Sequence, residues 1–217
     1  MCKLKGLAVY MFLGLMLTSI ASAVPVVTFT NLNSVTTIVA NFTQGWQFTT
    51  NSAVTVTDLG FFDGDQDGLL SVHEVGIFNA AGALLISGTV PTGVAAPLIN
   101  QFRYVAVAPT LLPSGQTFRI GAYYPIGGEQ IVITPVGLAL DPSITYGGSR
   151  FFNGGGALND PTSVTGSLGR FGPNFNILAA AAGAPELDPR SGGVALASLL
   201  LILGVAERRR RGSMVAA

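Results

Sequence analysis

The sequence predicts an all-β protein: an antiparallel β-sandwich of jelly-roll or Ig-like type, flanked by an N-terminal signal peptide and a C-terminal transmembrane sorting helix. Three observations carry that expectation. From Val24 onward, short apolar runs rich in Val, Thr, Ile and Phe are broken by Gly, Pro, Asn and Ser about every eight to twelve residues, the rhythm of strands and turns. The chain is 49% hydrophobic, contains 28 Gly and is only 10% charged, which is too apolar for a disordered chain and too often broken for a helical bundle. Its 217 residues leave room for one domain with a substantial core and not for a second.

Residues 1–23 combine Lys3 and Lys5, an apolar run from Gly6 to Ile20, and the small-residue cleavage site Ala21-Ser22-Ala23. These are the three parts of a secretory signal peptide; an uncleaved anchor would use a longer apolar span and would not need the Ala-Ser-Ala ending. Cys2, the only cysteine, precedes the apolar run, so it is not a lipidation site. With this segment removed, the chain forms no disulfide and has no thiol chemistry.

Residues 24–183 are expected to form the sandwich. Strands are predicted at Val26 to Phe29, Thr36 to Phe42, Gly45 to Phe48, Val54 to Phe62, His73 to Phe78, Leu84 to Val90, Phe102 to Val107, Thr117 to Tyr124 and Glu129 to Thr134. Within Thr117 to Tyr124, Phe118, Ile120 and Ala122 alternate with Arg119 and Gly121, so one face is buried and Arg119 is expected to point to solvent. The apolar parity shifts between Val56 and Leu59, which a β-bulge near Thr57 or Asp58 accommodates. Asn79-Ala80-Ala81-Gly82 and Pro113-Ser114-Gly115 are tight-turn sequences and are expected to close hairpins. Residues 146–172, with YGGSRFFNGGG, read as long glycine-rich loops holding at most one or two short strands.

Between two predicted strands lies DGDQDGLLSVHE, residues 63–74, which matches the twelve-residue EF-hand calcium pattern. Asp63, Asp65 and Asp67 fall at positions 1, 3 and 5, Gly68 at the sharp turn, Leu69 offers a carbonyl at position 7, Ser71 stands at 9 and Glu74 at 12. Calcium is a hard cation that takes six to eight oxygens, and this set supplies them. The flanking residues read as strands and not as helices, so Glu74 can instead run along a strand. Two readings follow: a structural calcium site, or a solvated Asp-Gly turn.

The remaining chemistry is sparse. Between positions 24 and 189 there are four basic residues (Arg103, Arg119, Arg150, Arg170) against ten acidic ones, a net charge of −6 that excludes a nucleic-acid partner. His73 is the only histidine, too few for a zinc site without cysteine, and no nucleophile-elbow pattern accompanies it. A paired-carboxylate hydrolase would need Glu129, Asp141 or Asp160 to meet the loop acids, and the spacing singles out none of them. No enzyme activity is therefore expected. Trp46, Tyr104, Tyr123, Tyr124, Tyr146, Phe151 and Phe152 are the residues a carbohydrate-binding module would stack on sugars, and core burial is the plainer expectation for each.

The tail, residues 184–217, has three parts: Pro185-Glu186-Leu187-Asp188-Pro189, an uncharged segment at 191–206, and Arg208, Arg209, Arg210 and Arg211. The apolar segment is slightly short for a span, which bilayer thinning and arginine snorkelling offset. The arginines hold the C-terminus in the cytoplasm and leave the domain outside. This order resembles the PEP-CTERM sorting signal of Gram-negative bacteria, with Leu187-Asp188-Pro189 departing from a strict Pro-Glu-Pro. The resemblance implies recognition and processing by an exosortase-type enzyme, with inner-membrane attachment until cleavage. It further implies a place at the cell surface or in an extracellular matrix of exopolysaccharide. The expectation is thus an exported, non-catalytic surface or matrix protein. The alternatives are a calcium-dependent carbohydrate-binding module and, third, a hydrolase of unknown type.

Overall fold

The computed structural model describes residues 23–30, 35–133, 135–166 and 169–178, all within the unit that ends at Ala179. The expected signal peptide up to Ser22, the motif Pro185 to Pro189, the apolar segment 191–206 and the cluster Arg208 to Arg211 lie outside the described residues. Among the described residues there is no helix, and so none long and apolar enough to cross a membrane.

Fifteen strands are present among the described residues: β1 (Ala23–Pro25), β2 (Val27–Thr28), β3 (Val35–Thr37), β4 (Phe42–Thr50), β5 (Val54–Phe62), β6 (His73–Asn79), β7 (Leu84–Val90), β8 (Leu98–Ile99), β9 (Phe102–Leu112), β10 (Thr117–Tyr124), β11 (Gln130–Val132), β12 (Ala139–Leu140), β13 (Ile144–Asn153), β14 (Ser163–Val164) and β15 (Pro173–Leu178). Every pairing is antiparallel. One sheet has the order β1-β15-β5-β9-β8 and the other β14-β13-β4-β10-β6-β7, with β11-β3 and β12-β2 as two-stranded additions.

The two large sheets meet through aromatic rings, as the period-two patterning requires of their inner faces. Trp46 and Phe48 of β4 lie 6.0 and 5.0 Å from Phe175 of β15, and Phe61 of β5 stacks 3.7 Å from the ring of His73 in β6. Trp46 is fully buried, and its indole N–H donates to the Pro173 carbonyl at 2.9 Å, so the one polar atom of the largest core residue is satisfied.

The predicted bulge is present: the β5–β9 register shifts between Val56 and Asp58. Asn79–Gly82 closes the β6–β7 hairpin, with Gly82 at φ 88° and the Asn79 side chain accepting from Ala83 N–H at 2.9 Å. Pro113–Gly115, expected to close a hairpin, does not. β9 pairs with β5 and β10 with β4 and β6, so this turn carries the chain from one sheet to the other. Thr50, at the end of β4, fixes it: its carbonyl accepts from Gly115 N–H at 2.6 Å, and its hydroxyl donates to the Pro113 carbonyl at 2.5 Å. Because β4 also leads across to β5 at this end, the two crossings stack and share hydrogen bonds that a hairpin would have used itself.

The glycine-rich region contains β13, a ten-residue strand paired along β4, with a register shift at Tyr146/Gly148 where Gly148 adopts φ 108°. Glycine here marks a bulge inside a strand, not a loop. Residues 154–162 then cross the outer face of the six-stranded sheet. Leu158 and Pro161 lie over Gly76 and Gly121, where side chains would leave no room. Asp160 receives two hydrogen bonds from Arg119 at 2.6 and 2.5 Å. Arg119 is thus on the outer face but not in open solvent, because this segment covers it.

Candidate cation site

The stretch between β5 and β6, residues 63–72, carries the chain from one sheet to the other, so its start is anchored in one layer and its end in the other. Asp63 N–H donates to the Gln101 carbonyl at 2.8 Å as the chain leaves β5. Gly68 turns at φ 112°, and a Cβ there would sit 2.9 Å from the Gly93 backbone, so only glycine allows this approach. Leu69 and Gly93 then exchange backbone hydrogen bonds at 3.2 and 2.8 Å.

This path brings Asp63, Asp65 and Asp67 together, with one ligand atom from each within 4.8 Å of the others. No other Asp, Glu, His or Cys among the described residues joins the group. The other residues of the calcium pattern lie elsewhere. The Leu69 carbonyl accepts from Thr92 Oγ1 and Gly93 N–H, both at 2.8 Å. Ser71 Oγ is 3.2 Å from His73 Nε2, and Glu74 is in β6 opposite Thr89 of β7. In an EF-hand, the helix after the loop turns residue 12 back toward the ion; a strand carries it away.

Two residues that the pattern does not contain complete the surroundings. Arg103, on β9, is buried beside Asp63: Nε donates to Asp63 Oδ2 at 2.6 Å, and its other nitrogens donate to the Ala96 and Gln66 carbonyls at 3.0 and 3.4 Å. Glu129, just before β11, is buried as well, and its Oε1 accepts from Leu70 N–H at 2.6 Å and Ser71 N–H at 3.4 Å. The same oxygen is 3.0 Å from His73 Nε2, while His73 Nδ1–H donates to the Tyr123 carbonyl at 2.9 Å. Glu129 therefore holds the second half of the loop from 58 positions away in sequence. Arg103 stands between Phe102 and Tyr104 in an apolar run, and that was the legible signal: an arginine in a buried strand needs an acidic partner.

The electrostatics are unbalanced. Asp63, Asp65, Asp67 and Glu129 line one small opening, and the Arg103 guanidinium meets only Asp63, so negative charge is in excess there. The charge of Asp65, with a smaller contribution from Asp63, raises the Asp67 carboxyl above its ordinary value. Asp63 is only 3% exposed; Arg103 takes its Oδ2, and its Oδ1 is buried with no hydrogen-bond partner. A buried, unpartnered carboxylate oxygen is costly unless something positive meets it. Asp63, Asp65, Asp67 and Glu129 line a cleft of about 70 Å³. That is room for an ion and a few waters, against the hundreds of Å³ that an organic ligand needs.

The other candidate groups are engaged elsewhere. Asp160 pairs with Arg119, and Asp141 accepts from Ser143 N–H at 2.9 Å, so neither meets the loop acids. Tyr104 and Tyr124 are buried. Tyr146 is half-buried against Trp46 and Phe171 and bonds Ser149 Oγ at 2.8 Å, while the guanidinium of Arg170 lies 5.4 Å over the ring of Phe151. Compared with protein-family models, curated proteins and solved structures, the chain matches none.

Proposed function

We propose that this chain is an exported, non-catalytic protein of the cell surface or an exopolysaccharide-containing matrix, built on a jelly-roll or Ig-like sandwich that a calcium ion braces. The observation that carries the calcium is the buried, unpartnered Asp63 Oδ1 beside Asp65 and Asp67. A cation there would offset the excess negative charge and tie the crossing to the sheet. Calcium is the ion favoured by an all-oxygen site of carboxylates and water.

The address rests on sequence alone: the signal peptide, the motif Pro185 to Pro189, the apolar segment and the arginine cluster. Extracellular calcium at millimolar levels would keep a weak site filled, and binding to the folded form alone adds stability by mass action. A non-catalytic role for the acid loop is supported by the size of its cleft and by the engagement of its best-placed groups, Asp63 with Arg103 and Glu129 with His73.

Cell fractionation with mass spectrometry of the mature termini tests the address. A protein lacking the arginine cluster and found outside the inner membrane is the expected result; an intact cluster on an inner-membrane protein would overturn it. Metal analysis of the purified protein tests the ion, and absence of bound calcium after dialysis against millimolar calcium would remove that part of the reading.

A further inference from the structure

If the loop holds calcium as an EF-hand does, Glu74 is its bidentate ligand; the geometry points elsewhere. We infer that the cation site is composite, made by Asp63, Asp65 and Asp67 from the β5–β6 crossing and by the side-chain oxygen of Gln130 from β11, with Glu74 taking no part. This deepens the calcium reading proposed above and rests on it.

The cleft has two walls. One is the acid loop, and the other is the stretch from Gly128 to Gln130. Gln130 reaches across: its Nε2 lies 3.4 Å from Asp65 Oδ2, and its Oε1 is so close over Gly64 that a Cβ on Gly64 would meet it at 2.7 Å. Rotation of the amide by a half-turn exchanges donor for acceptor, gives up the long Nε2 bond to Asp65 and presents Oε1 to an ion beside it. Gln amide oxygens are ordinary calcium ligands. The second observation, independent of the clustering, is that Asp63 Oδ1 is buried with no partner while Arg103 occupies Oδ2. That leaves Oδ1 as the oxygen Asp63 offers.

The ligand set is then three carboxylate oxygens, one amide oxygen and water. With this few protein ligands and no bidentate glutamate, the site belongs to the weak extracellular class, with Kd on the order of 0.1–1 mM. Glu129 is a positioning residue. Through Leu70 and Ser71 N–H it fixes the loop against the strand that carries Gln130, the work that residue 12 and its helix do in an EF-hand. The ion would therefore join β11, and with it β3, to the crossing between the two large sheets.

Calorimetric titration of the full-length protein with calcium chloride, after chelator treatment, tests this with the wild type and the variants Glu74→Ala, Gln130→Ala and Gln130→Glu. Expected are one site in the wild type, affinity within about twofold for Glu74→Ala, a loss of about tenfold for Gln130→Ala and a gain of about tenfold for Gln130→Glu, which adds a carboxylate of equal length. Circular dichroism reports whether each variant is folded, and the glutamate variant keeps the test decisive if the alanine variant is not. Calcium binding that Glu74→Ala abolishes, or that both Gln130 variants leave unchanged, overturns the composite site and leaves the calcium reading standing. No calcium binding by the folded wild type overturns both.

Discussion

Replacing Arg103 with methionine isolates the charge balance at the acid loop. Methionine keeps much of the buried aliphatic stem and removes the guanidinium, whose Nε holds Asp63 Oδ2 at 2.6 Å with both side chains nearly inaccessible. Asp63 already has one oxygen without a partner, so the variant leaves a buried carboxylate with none at all. Breaking one side of a buried ion pair costs about 3–5 kcal/mol, a large share of the roughly 5–15 kcal/mol that holds a domain together. Urea unfolding followed by the fluorescence of Trp46, the only tryptophan, measures this in chelator. Calcium at about 10 mM and Kd of about 0.1–1 mM adds about 1.4–2.7 kcal/mol to the wild type by mass action. In the variant the site carries one more uncompensated negative charge and binds the ion more tightly, so the calcium-dependent gain is larger than in the wild type. A loss below about 1 kcal/mol in chelator, or a calcium gain equal to or smaller than that of the wild type, would refute the reasoning.

Trp46→Ala removes the indole that touches Phe48, Phe171 and Phe175 and leaves the Pro173 carbonyl without its donor; a loss of about 3–5 kcal/mol is expected in thermal or denaturant unfolding. Gly45→Ala and Gly121→Ala should separate sharply. The first Cβ meets the Ile120 backbone oxygen on the neighbouring strand and should prevent stable folding, whereas the second meets movable atoms of Thr43 and Pro161 and should cost about 1–3 kcal/mol while loosening residues 154–162 to proteolysis. Burial raises the phenols of Tyr104, Tyr124 and Tyr146 above the ordinary tyrosine value, with the charge of Asp58 adding to it at Tyr104 and that of Glu129 at Tyr124. The unfolded chain loses these protons first, so the stability they carry is complete below pH about 10 and is lost as pH rises beyond it. Absorbance titration should show these phenols ionising together with loss of the native Trp46 signal, and ionisation at pH about 10 in a protein that keeps that signal would contradict their burial.

The strands were most legible where runs of β-branched and aromatic residues end at turn residues. Val54–Phe62, Leu84–Val90 and Thr117–Tyr124 have the bounds that this pattern predicts, although Leu59 to Phe62 are buried on both faces and show no alternation. β13 and β15 were not legible. The glycines of β13 and the asparagines of β15 are poor strand formers, and cross-strand pairing with β4 and β5 overrides that preference. Turn chemistry located Pro113–Gly115 as a turn but held no information on which sheet each flank joins, since a tight turn and a crossing use the same residues.

At the acid loop the division has the same cause. The spacing of Asp63, Asp65, Asp67 and Gly68 placed three carboxylates within one short turn, because that depends on local backbone geometry over six residues, and left open whether they meet at an ion or stand in solvent. Tertiary structure alone decided what faces them. A strand in place of a helix after the loop carries Glu74 off to pair with β7. The folding of β9 and β11 onto either side brings Arg103, Glu129 and Gln130 from 40 to 65 positions away. Local spacing specifies a local turn, but the partners of a buried charge are chosen by which strands the core brings together, and that choice is distributed over the whole chain.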